Sequence, residues 1–138
     1  MANATHTGVF ILDGKEAQLI HHSYSVNRHT DEKGRPGSRV LHFDLTVTIA
    51  SDDKLKLAII EWMGKPDLDK KGEIIEYLGE GADRVEFKKI EFENGYVISY
   101  SESFHDMNGS NNISETFVIS AEKITINGAK FDFKWPKS

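Results

Sequence analysis

Three short turn signals constrain this chain more than any other feature of its sequence. Asp13-Gly14, Asn94-Gly95 and Asn127-Gly128 each stand between runs in which apolar and polar residues alternate. A two-residue hairpin turn of this type needs positive φ at both central positions, and Asn-Gly and Asp-Gly adopt it at low cost. The sequence therefore predicts three β-hairpins and a mainly β chain.

With two further strands outside these hairpins, eight strands are predicted. They cover residues 9–12, 16–27, 39–50, 73–78, 84–92, 96–104, 113–126 and 129–135. Alternation is clearest over residues 39–50, which is typical of a half-buried strand. The apolar parity changes between Ala121 and Ile124, and this change predicts a bulge or a barrel corner there.

The predicted strands are long for a chain of 138 residues. Those over residues 16–27, 39–50 and 113–126 each span about 40 Å at ~3.3 Å per residue. A single domain of this length has a diameter of only ~37 Å. Because long strands in a small sheet need closure or covered edges, we expect one antiparallel β-barrel domain over residues 1–138, with loose tails at 1–7 and 136–138.

One segment shows helical spacing, and it predicts a flanking α-helix near residues 53–63. Asp53 or its neighbour Asp52 favours the N-terminus, and Gly64 followed by Pro66 favours the end. A helix this short depends on tertiary packing, so we expect its apolar face to dock on an open end or flank of the barrel. The residues predicted to form that face are Leu55, Ile59, Trp62 and Met63.

Short hydroxyl side chains occupy the polar face of several predicted strands, where a solvated sheet usually carries more lysine and glutamate. The residues singled out are Thr46, Thr48, Ser99, Ser101 and Ser103. A neutral face of this kind suits the wall of a hydrated lumen or a contact between subunits. The good strand propensity of threonine explains it as well, and the sequence leaves both interpretations open.

Residues that carry chemistry do not form a recognisable constellation. The absence of cysteine excludes a disulfide, a thiolate ligand and a cysteine nucleophile. His21 and His22 are adjacent in a predicted strand and point to opposite faces, and no close histidine spacing occurs elsewhere. Phosphate-loop, dinucleotide-binding and nucleophile-elbow motifs are also absent. We therefore expect no catalytic residue, no metal site and no cofactor.

The charge balance argues against two classes of partner. A net charge of -5 and a pI of about 5.7 are unfavourable for binding nucleic acid or an anionic membrane. No apolar run approaches the ~18 residues of a membrane span.

The first seven residues lack the charged and apolar regions of a signal peptide, and the lack of cysteine fits folding in the cytoplasm.

Residues 28–39 read as a long loop between two domain-length strands, and loops of this length are usually functional or disordered. Gly34, Pro36 and Gly37 favour a bend, while three arginines make the segment basic on an acidic chain. The segment is either a solvent-exposed loop or an arm that docks on a neighbouring subunit. In the second case its charge would set the register of the contact between the two subunits. The residues assigned to this predicted interface are Arg28, His29, Thr30, Asp31, Arg35, Pro36, Ser38 and Arg39.

An ordered set of short segments, beginning before this loop, resembles the Hcp/TssD family, the tail-tube protein of the type VI secretion system. The resemblance is to a short, divergent branch and covers nearly the whole chain. The segments that carry it are Ser23-Tyr24-Ser25, Thr30-Asp31, Gly34-Arg35-Pro36, Ser38-Arg39, Glu61-Trp62-Met63, Ser114-Glu115-Thr116-Phe117, Ser120-Ala121, Lys123-Ile124 and Trp135.

The resemblance implies a β-barrel with a flanking helix, six copies in a ring, and rings stacked into a tube inside a contractile sheath. It implies a structural protein without catalytic residues, with sheath proteins, the spike protein VgrG and effector proteins as partners. It also implies assembly in the cytoplasm, export through its own machine without a signal peptide, and an intersubunit role for residues 28–39. Two alternatives remain: the tube protein of another contractile injection system, and a barrel that binds a small ligand.

Overall fold

The computed structural model describes the backbone of residues 6–30, 32–51, 53–79, 81–107 and 110–135, and the side chains of residues 7–27, 32–35, 43–51, 55–79, 82–104 and 113–135. Seven strands and one α-helix lie within these ranges. In chain order they are β1 (His6–Leu12), β2 (Lys15–Thr30), β3 (Pro36–Ala50), α1 (Asp53–Gly64), β4 (Lys70–Leu78), β5 (Val85–Met107), β6 (Ser110–Ile126) and β7 (Ala129–Asp132).

Six of the strands close into an antiparallel barrel. Following the hydrogen-bonded pairs gives the order β1, β2, β3, β6, β5, β4 and back to β1, while β7 pairs with the end of β6. The predicted antiparallel barrel with one helix is therefore confirmed. The predicted N-terminal tail is shorter than expected, because His6 and Thr7 pair with Leu78 and Tyr77 of β4.

Two of the three predicted hairpin turns are confirmed. Asp13 and Gly14 have φ values of 53° and 76°, and they join β1 to β2. Asn127 and Gly128 have φ values of 46° and 89°, and they join β6 to β7. In both turns the left-handed backbone decides the local structure, which is why the dipeptide alone predicts it.

The third predicted hairpin is wrong, because Asn94 and Gly95 lie inside the single strand β5. The chain bends here and does not reverse: β5 pairs with β4 as far as Gly95 and continues along β6 to Met107. A Cβ atom on Gly95 would lie 2.8 Å from the ring of Phe92, so this glycine permits a close approach. The two strands predicted on either side are one, and in the described part of the chain seven strands replace the predicted eight.

The bend in β5 and a matching bend in β6 form the predicted barrel corner. In a regular strand, residues three apart point to opposite faces. Phe92 and Gly95 of β5 are nevertheless both buried, and so are Ala121 and Ile124 of β6. Asn94 Nδ2 donates a hydrogen bond of 2.7 Å to Glu122 Oε1 and links the two bends. The change of apolar parity in the sequence therefore marks a corner that two strands share.

Helix α1 packs on this corner. Leu55, Ile59 and Trp62 are fully buried, and Trp62 Nε1 donates a 3.0 Å hydrogen bond to the carbonyl oxygen of Gly95. The Trp62 ring stacks on the ring of Phe92 with centroids 6.1 Å apart. The predicted docking of Met63 is wrong: its side chain is 42% exposed, because it lies about 80° round the helix from Leu55, at the edge of the apolar stripe.

Candidate assembly surface

Four adjacent strands, β2, β3, β6 and β5, form a continuous sheet with one polar face, called here the polar sheet face. Its rows follow from the register. His21, Thr48, Thr116 and Ser101 lie side by side in one row, and Ser23, Thr46, Val118 and Ser99 lie in the next. All five residues singled out in the sequence, Thr46, Thr48, Ser99, Ser101 and Ser103, belong to this face.

The polar sheet face is accessible and uncharged over most of this area. Ser99, Ser101 and Ser103 are exposed, whereas Thr46 and Thr48 are half-buried. Thr48 Oγ1 and Thr116 Oγ1 are 3.0 Å apart and share a hydrogen bond across the strands. The opposite face of the same sheet carries the barrel core, except near one end, where Phe104 and Ile113 are exposed.

Each side of the four-stranded sheet ends in a long edge with no partner strand among the described residues. The pairing of β2 with β1 stops at Gln18, and the pairing of β5 with β4 stops at Gly95. The remaining stretches, residues 19–30 and 96–107, are twelve residues long and are called here the β2 free edge and the β5 free edge. Unpaired edges of this length are ready templates for another chain.

The predicted loop over residues 28–39 is for the most part a continuation of β2 and β3. Arg28 pairs with Val40 and Thr30 pairs with Pro36, with shifts of register that mark an irregular ladder. Proline fits here because it is the first residue of its strand. Arg35 is exposed at the tip. Asp31 lies outside the described residues, as do the side chains of Arg28, His29, Thr30, Pro36, Ser38 and Arg39.

The inner side of the β2 free edge is tied to β4 and β5 by polar contacts. His22 Nε2 lies 3.0 Å from Glu76 Oε2, and Lys88 Nζ donates a 3.0 Å hydrogen bond to the hydroxyl of Tyr24. As predicted, His21 and His22 lie on opposite sides of the strand. Within the described ranges, no group of three or more potential ligand side chains is placed to hold a metal ion.

Sequence reasoning missed a buried carboxyl group on the inner side of the sheet. Glu115 of β6 is 0% exposed, and its Oε1 accepts a 3.0 Å hydrogen bond from the Tyr100 hydroxyl. Its other oxygen has no hydrogen-bond partner among the residues that the structure describes. The sequence could have predicted this burial, because Glu115 lies on the same side of the alternating pattern as Phe117, Ile119 and Ala121.

The Tyr100–Glu115 contact predicts a pH effect. Burial, the hydrogen bond to Glu115 and the charges of Glu115 and Glu102 raise the pKa of the Tyr100 hydroxyl above its usual value of 10.0. Above about pH 10 the unfolded chain releases a proton that the folded chain retains, so the free energy of unfolding should fall as the pH rises. Denaturant titrations between about pH 8 and pH 11 should show a shallower fall for Tyr100→Phe. Equal slopes for both proteins would contradict this role.

Comparison with known proteins agrees with this architecture. The family model of the hemolysin coregulated protein Hcp (TssD) matches residues 4–136. The structure of Hcp1 from Flavobacterium johnsoniae is 27% identical, with a TM-score of 0.69, and the match covers 91% of this chain and 98% of that one. A search of curated proteins finds no match.

More distant structures share the fold alone. Hcp1 from the E. coli EAEC 042 pathovar is 16% identical, with a TM-score of 0.74 and coverage of 94% of this chain and 99% of that one. A chain of the PVC sheath-tube complex, an extracellular contractile injection system in its extended state, is 14% identical, with a TM-score of 0.55 and 88% coverage of both chains. In the part of the chain that the structure describes, no helix is long and apolar enough to cross a membrane.

Proposed function

This chain belongs to the Hcp (TssD) family, and from that premise we propose that it is the structural subunit of the inner tube of a type VI secretion system. The observation that carries the proposal is the four-stranded sheet with two free edges of equal length and one polar face. A sheet of this kind can be extended by further copies at both edges. The proposed role is mechanical and needs no catalytic residue.

Assembly follows from the direction of the edge strands. The four strands alternate in direction, so β2 and β5 are antiparallel at the two sides of the sheet. The β5 free edge of a second copy can therefore continue the sheet along the β2 free edge. Repetition of this one contact is heterologous, and it forms a ring where the rotation closes. The family resemblance implies closure with six copies.

The polar sheet face is the proposed wall of the lumen. The other side of the sheet is occupied by the core and by α1, so that side lies on the outside of the ring, where sheath proteins would surround it. A wall of small hydroxyl groups around Ser99, Ser101 and Ser103 presents hydrogen-bonding groups without strong charge. Such a wall suits the passage of effector proteins of varied surface charge.

The tip between β2 and β3 is the proposed contact between rings or subunits. It extends the barrel at the far end of the β2 free edge, and the exposed Arg35 is basic on a chain of net charge -5. Opposite charges favour docking in one register. VgrG is the proposed spike at the tip of the tube, and the secretion machine itself would export the tube from the cytoplasm.

Electron microscopy of the purified protein tests this function. Negative staining should show rings with a central hole, and the particle mass should be several times the 15.6 kDa of one chain. A monomeric particle without a hole, at high protein concentration, would contradict the proposal. It would favour a ligand-binding barrel, although the buried side chains of Phe10, Phe43 and Phe117 leave little space for a ligand inside.

A further inference from the structure

Each free edge begins with a β-bulge whose extra residue is an exposed isoleucine. In β2, Leu19 pairs with Ile49 and His21 with Thr48, so Ile20 has no partner on β3. In β5, Val97 pairs with Ile119 and Ser99 with Val118, so Ile98 has no partner on β6. The two side chains are 56% and 53% exposed. A bulge turns its extra side chain away from the regular alternation of the strand.

The bulge in β2 lies where this strand separates from β1. A Cβ atom on Gly8 would lie 2.7 Å from Leu19 Cδ2, so the Leu19 side chain occupies the space beside Gly8. The next residue, Ile20, takes no part in the barrel core. In β5 the extra residue of the bulge, Ile98, comes three residues after Gly95, which is the last residue paired with β4. Both isoleucines therefore mark the point where an edge becomes available.

Antiparallel pairing brings the start of one edge against the end of the other. Strands in closed barrels tilt by roughly 35–45°. Crossing four strands at about 4.8 Å each then shifts the next copy along the strands by roughly four to six residues. Along the rows His21 lies level with Ser101. A shift of about four residues pairs the two free edges over their full length.

We propose that Ile20 and Ile98 fix the register in which two copies of this chain pair, and they are called here the register stops. Ile20 is covered by the end of the neighbour's β5, and Ile98 is covered by the end of the neighbour's β2, near Arg28. The two side chains then close the two ends of one intersubunit ladder. The inference rests on the proposed ring and adds the residues that set its register.

Cross-linking tests the register, because the natural chain has no cysteine. The variant Ile98→Cys/Arg28→Cys should form covalent oligomers with a short thiol cross-linker. The variant Ile98→Cys/Ser23→Cys should not form them. Its two cysteines would meet only if neighbouring copies paired without the shift, because Ser23 and Ser99, the neighbour of Ile98, lie in one row. Each single-cysteine variant is the control. Cross-linking of the Ser23 variant in place of the Arg28 variant would overturn the proposal.

Ring stability provides the second test. Ile20→Ser and Ile98→Ser should each raise the protein concentration at half-assembly roughly tenfold, with unfolding of the subunit little changed. Phe87→Ser is the matched control: Phe87 is 53% exposed at a third bulge, in the part of β5 that pairs with β4. If the wild type formed rings and the double variant Ile20→Ser/Ile98→Ser assembled at the same protein concentration, the register stops alone would be overturned. A wild-type protein without rings would overturn the proposed function as well.

Discussion

Replacing Trp62 by alanine is expected to lower the free energy of unfolding by about 3–5 kcal/mol. The side chain is 1% exposed and stacks on Phe92. Its loss leaves a cavity at the barrel corner and removes the hydrogen bond donor of the Gly95 carbonyl. Denaturant titration followed by far-ultraviolet circular dichroism measures the change without relying on tryptophan fluorescence.

Met63→Ala is the matched control for this variant. The two residues are neighbours on α1, but Met63 is exposed and contributes little to the core. Its substitution should change the free energy of unfolding by less than about 0.5 kcal/mol. If Trp62→Ala were as mild as Met63→Ala, the docking of α1 on the corner would be wrong. Trp62→Phe should recover part of the lost stability through its contact with Phe92.

The turn signals show where local sequence is sufficient to predict structure and where it is not. Asp13-Gly14 and Asn127-Gly128 form hairpins because positive φ is a property of the dipeptide. Asn94 also has positive φ, but Gly95 serves the approach of Phe92 and accepts the hydrogen bond of Trp62. That use depends on a helix some thirty residues earlier in the chain, and no local pattern contains it.

The candidate assembly surface was predictable only in part, for a similar reason. Strict alternation placed Thr48 and Ser101 on one face, and the register puts both beside Thr116. The free edges depend on where β1 and β4 stop pairing, which is a property of the whole barrel. The segment 28–39 carries loop residues and yet pairs as strand, because an irregular ladder tolerates glycine and proline at its end.

Val26→Lys is expected to abolish ring assembly while leaving a folded subunit. Val26 lies on the β2 free edge, opposite Phe43, with its half-buried side chain packed on the core. In a single subunit the lysine can extend its ammonium group past the open edge into water. In the ring a neighbouring strand covers that route, and burying the charge costs several kcal/mol. The dissociation constant of the ring should rise at least about 100-fold.

The control for this variant is Val26→Thr, which removes similar apolar contact without adding a charge. Both proteins should unfold at similar temperatures as monomers, and only the threonine variant should sediment as a ring. A lysine that points inward on an edge strand is a known means of preventing edge-to-edge pairing. If the lysine variant formed rings as stable as those of the threonine variant, the β2 edge would be open in the assembled state. Ring closure would then have to use a different surface of the barrel.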